Sequence, residues 1–159
     1  MTLLTTHPVL DSRTAINYYI ENDTDLGAEF SYTDSRTKET AYRIYSTPLS
    51  SNVIKGTSFS TYFMGEAPYN PEYQKRIPIL YSDIAVQHAV LETAIDTAWL
   101  LATSVEETLR DYPSLHLNNR ATCGHHRITD IIPVETDGGS LWTFILTITH
   151  EVFPLGTQL

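Results

Sequence analysis

Residues 140–153 read SLWTFILTITHEVF. Trp142, Phe144, Leu146, Ile148 and Val152 fall on one parity, and Thr143, Thr147, Thr149 and Glu151 fall on the other. A period of two, apolar against polar, belongs to a β-strand with one buried face and one wet face. His150 sits on the apolar parity. Upstream, residues 124–135 (GHHRITDIIPVE) are also extended in character, and Asp137-Gly138-Gly139 supplies the positive-φ residues of a tight turn. Together they predict a long terminal hairpin.

The segment before it is the clearest helix. Leu91, Ile95, Ala98, Ala102, Val105, Leu109 and Tyr112 recur at steps of four and three, an apolar seam. Trp99 and Leu100 flank the seam and are expected to widen its buried face. Thr93 with Asp96 resembles a capping box, and Pro113 ends the helix. A seam this broad suits packing against a sheet.

Further upstream, residues 76–90 (RIPILYSDIAVQHAV) read as a long strand. Ile77, Ile79 and Tyr81 set one phase and Ile84, Val86 and His88 the other, which predicts a bulge near Ser82–Asp83. Residues 57–65 (TSFSTYFMG) place Phe59, Thr61 and Phe63 on one face of another strand. Residues 27–34 and 39–47, joined by Ser35–Lys38, predict a hairpin. Residues 48–56 are a turn-rich connector. Residues 8–22 predict a first helix, with Pro8 in its first turn and Val9, Arg13, Ile16 and Ile20 on one stripe. The order α, β-hairpin, β, β, α, β, β gives a single α+β domain over residues 1–159. Its sheet is mainly antiparallel, with helices packed on one face.

Composition narrows the function. Ten basic residues stand against 19 acidic ones, which disfavours nucleic-acid binding and anionic membranes. One cysteine leaves no internal disulfide. The start of the chain lacks a basic n-region, and no run approaches a membrane span, so a soluble protein retained where it is made is expected. Ten tyrosines suit both strands and protein interfaces.

Cys123, His125 and His126 invite a metal reading. Adjacent strand residues point to opposite faces, so the two histidines do not converge on one ion, and no metal or other cofactor is expected. His88 and His150, both on core phases, could meet in a sheet pocket and act as a base. That is the enzyme or ligand-binding alternative. Nucleophile-elbow, S-x-x-K and phosphate-loop motifs are missing, so no catalytic residue is assigned. Glu106, Glu107 and Asp111 read as a solvated helix face. Residues 66–76 join two strands and mix aromatic with basic groups. Tyr69, Tyr73, Lys75 and Arg76 are the candidate contact residues there.

From Phe59 to Phe153 the order of elements resembles the tail terminator, or tail-completion, proteins of long-tailed bacteriophages. The matching stretches are 57–68, the loop after them, 76–90, the seam helix and the hairpin ending LTITHEVF. A leading helix such as 8–22 belongs to the same pattern, whereas residues 23–57 are longer than it requires. The resemblance implies a non-enzymatic virion protein of the tail or neck, made in the host cytoplasm. It implies a ring, typically of six copies, on the head-proximal end of the tail tube. Such a ring stops tube growth and contacts the tube protein, the head connector and its own copies. DNA passes through it without specific binding, and an acidic lumen suits that passage. A different adaptor of the head-tail neck is the related alternative.

Overall fold

The computed structural model describes residues 8–49, 56–66, 78–110, 121–136 and 141–154. Helix α1 (Pro8–Asn22) has the predicted bounds. Its buried stripe is Ser12, Ala15, Ile16 and Ile20, with Arg13 only half-buried. Asp23 then caps a short helix, α2 (Thr24–Glu29), whose last three residues fall in the stretch 27–34 expected as strand. The Asp23 carboxylate accepts from the amides of Asp25 and Leu26, which satisfies donors that a helix start leaves open. Gly27 lies against the Glu21 carbonyl oxygen so closely that a Cβ there would collide with it. The tight α1–α2 corner thus requires glycine.

The predicted hairpin follows in shortened form, β1 (Ser31–Thr33) antiparallel to β2 (Thr40–Tyr42). Asp34 shapes its turn by accepting from the amides of Thr37 and Arg36, and those hydrogen bonds hold its carboxyl below the ordinary carboxylate value. Arg43 interrupts the expected strand. Its amide donates to Phe30 and its carbonyl accepts from Phe59, while its guanidinium lies 4.5 Å from the centre of the Tyr32 ring.

The main sheet has five strands in the order β3-β4-β5-β7-β6. These are β3 (Ile44–Tyr45), β4 (Ser58–Glu66), β5 (Pro78–His88), β6 (Ala121–Thr136) and β7 (Leu141–Pro154). All neighbours are antiparallel except the short β3–β4 contact. Helix α3 (Leu91–Arg110) connects β5 to β6. The expected single α+β domain, mainly antiparallel and with helices on one face, is therefore observed. The terminal hairpin is present too, with Thr136 paired to Leu141.

One core lies between the sheet and the helices. Phe59, Leu80, Ile84, Phe144, Leu146 and Ile148 from the strands meet Ile16 and Ile20 of α1 and the α3 seam. Leu109 is fully buried, and Ile95 packs at the margin. Trp99 and Leu100 do not widen this face. They point outward, 39% and 71% exposed, and Leu101 is buried instead. The helix also begins at Leu91, so Thr93 lies inside it and forms no capping box. The amide of Val90 at the strand-to-helix turn donates to His88 Nδ1 instead.

The bulge expected at Ser82–Asp83 does not occur, since β5 keeps one register with β7 from Ile79 to His88. Both faces of β5 are covered. Leu80, Ile84 and Val86 face the helices, and Ala85 on the far face packs with Leu49 and Ile145. Apolar residues on both parities mark a two-sided strand, not a phase change. Irregularities lie instead between Phe63 and Gly65 of β4, and at two places in β6, Gly124–Arg127 and Ile128–Asp130.

Candidate functional site

Four strands each place one polar side chain on the buried, helix-facing side of the sheet. On β4, Thr61 follows Phe59 in phase. On β5, Ser82 lies between Leu80 and Ile84. On β7, His150 lies between Ile148 and Val152. All three are fully buried. The fourth, His126 on β6, arrives there through the first β6 irregularity. Gly124 faces Glu151 and Arg127 faces Thr149, so His125 and His126 together oppose His150. Two residues against one is a β-bulge, which re-aims a side chain. The His126 ring meets the His150 ring edge-on, with centroids 4.9 Å apart.

These groups join end to end. His126 Nδ1 lies 2.7 Å from His150 Nδ1, His150 Nε2 lies 2.7 Å from Ser82 Oγ, and Ser82 Oγ lies 2.9 Å from Thr61 Oγ1. The result is a hydrogen-bonded chain across β6, β7, β5 and β4. Burial first, and the neighbouring His126 second, push the His150 pKa well below 6.5, so its imidazole is neutral at pH 7. A serine against a neutral histidine is the pairing a hydrolase uses. Here both members are fully buried, so Ser82 Oγ is not presented to solvent. The arrangement satisfies four buried polar side chains and ties the strand register to them, because a slip of one residue would move each to the other face.

The far face holds a second polar cluster. The buried Asp83 carboxylate accepts from the Tyr62 hydroxyl at 3.0 Å, the Thr147 hydroxyl at 2.8 Å and the Leu49 amide at 3.3 Å. Tyr62 stacks on Tyr81 beside it. On the edge strand, the Ile128 amide donates to the Glu106 carboxylate of α3 at 2.9 Å, and Glu106 also pairs with Arg110. Glu106 is thus a tether between α3 and β6, not the solvated group that its position in sequence implied.

The pairing of His88 with His150 is corrected by the register. His88 faces Trp142, whereas His150 faces Leu80. Eight residues of strand separate them, about 26 Å at ~3.3 Å per residue. His88 is exposed. Tyr69, Tyr73, Lys75 and Arg76 lie outside the described residues, as do the side chains of Cys123 and His125. Among the described residues, no three His, Cys, Asp or Glu side chains come together to hold a metal ion. No described helix is long and apolar enough to cross a membrane. Sequence reasoning missed Thr61, Ser82 and the meeting of His126 with His150. The available signal was a polar residue on the apolar parity of each of three strands.

Comparisons with known proteins give a likeness of fold. The chain matches no family model and no curated protein by sequence. Among solved structures it is similar to a chain of the virion of a native gene transfer agent particle, with a TM-score of 0.50 and 14% identity, over 89% of this chain and 93% of that one.

Proposed function

We propose that this chain is a non-enzymatic structural protein of a virion, which closes the head-proximal end of a phage tail tube as a ring. The observation that carries this reading is the fold shared, over nearly the whole of both chains, with a component of a virion. Two further points support it. The order from β4 to β7 follows the tail-terminator pattern, and the one serine–histidine contact among the described residues is fully buried. In this role the ring, of six copies, stops tube growth, meets the tube protein on one side and the head connector on the other, and lets DNA through. A net charge of −9 suits a passage that must not hold phosphate.

Electron microscopy of the purified particle tests the assignment. A ring of this chain is expected between tube and neck, and a null mutant is expected to yield unattached heads with overlong or unjoined tails. Density elsewhere in the neck would point to the adaptor alternative. Normal infectious particles from the null mutant would overturn the reading.

A further inference from the structure

A groove of about 470 Å³ runs between α2 and the outer side of α3. Asp23, Asp25 and Glu29 line one wall and Glu107 the other, with no lysine or arginine among the lining residues. The Asp23 carboxylate is engaged in capping α2. Among the described residues, no cation pairs with Asp25, Glu29 or Glu107. Leu100 stands in the lining as a largely exposed apolar group, and Trp99 continues that outward face of α3. An acidic wall with an uncovered leucine matches a segment that carries cations and aromatic rings together.

We infer that this groove receives segment 67–77 of a second copy of the chain. The inference rests on the ring reading, since a head-to-tail ring needs two different, complementary patches on one subunit. With 19 acidic and 10 basic residues, two copies repel on average, so a contact between them must bring a basic patch to an acidic one. Lys75-Arg76 is the only adjacent basic pair in the chain, and Tyr69 and Tyr73 accompany it. The basic residues elsewhere are poorer candidates. Arg110 and Arg127 pair with Glu106 and Glu151, Arg43 lies over Tyr32, Arg36 and Lys38 are flanked by Asp34 and Glu39, Arg13 is half-buried, and Lys55 and Arg120 stand singly in the sequence with no adjacent basic residue.

The test mixes full-length chains grown with light and heavy nitrogen and treats them with a carbodiimide, which couples an amine to a touching carboxylate. Cross-links from Lys75 to Glu29 or Glu107 are expected, including pairs that join light to heavy chains. Glu107→Lys should lower their yield about tenfold, since like charges then face each other. The double variant Glu107→Lys with Lys75→Glu should restore a link between the two positions in reversed sense. An unchanged melting temperature in each variant shows that the fold is intact. Links confined to chains of one isotope would place the segment on its own subunit and overturn the inference. Absence of links, or links indifferent to Glu107→Lys, would also overturn it. This outcome is separate from the microscopy, which reads the ring without reference to the groove.

Discussion

His150 ties the stability of the fold to pH. In the unfolded chain it titrates near 6.5, and in the folded chain well below that. The unfolded state therefore binds the proton first, and stability falls as pH drops below about 6.5. One such histidine removes on the order of 1 kcal/mol between pH 7.5 and pH 5.5. Urea unfolding at those two pH values should show that difference, and His150→Gln should reduce it. Equal pH slopes in parent and variant would refute the assignment. The histidine's burial was legible from its parity in residues 140–153. Its partner was not. A period of two puts His125 and His126 on opposite faces, but the bulge that sets both against His150 depends on pairing between distant strands, which no local pattern records.

Within α3 the seam and its flank behave as different surfaces. Leu109→Ala should cost about 2–5 kcal/mol, because it empties a closed site. Leu100→Ala should change stability by less than about 0.5 kcal/mol. Thermal melts of both variants check this, and similar losses would place the helix in a different rotation. The seam was legible because its spacing is long and regular. The flank was not legible, because hydrophobicity alone does not say whether a leucine beside a seam turns in or out. The α1–α2 corner makes a sharper test. Helix propensity favours Gly27→Ala by about 1 kcal/mol. Collision with the Glu21 carbonyl should reverse the sign and destabilise by about 1–3 kcal/mol. A stabilised variant would show that the corner is looser than described. This short helix carries no period of its own: its last residues, Gly27 to Glu29, run directly into the alternation of Phe30 and Tyr32 and so resemble strand, whereas its start rests on a single capping side chain, Asp23.

At the scale of the whole molecule, the fold class and the order of the long elements α1, β4, β5, α3, β6 and β7 were legible, because each carries its own period. The far face of the sheet was not, since Leu49 lies in a connector with no period of its own yet covers Ala85 and Ile145. The polar chain from Thr61 to His126 crosses the sheet from β4 to β6, with a diagonal step between Ser82 and His150, and its protons are not independent. If the Thr61 hydroxyl donates to Ser82, then Ser82 donates to Nε2 of His150 and His150 carries its hydrogen on Nδ1. If the direction reverses, every hydrogen along the row moves and His150 carries it on Nε2. The row is a single dipole with two settings, and His150's tautomer reports which one holds. Thr61→Val removes the far terminus. Ser82 then has only His150 to donate to, so His150 should be held as the Nδ1–H form. Nitrogen chemical shifts of the ring should show this tautomer in the variant, and an Nε2–H ring there would mean that the side chains of the four strands do not act as one row.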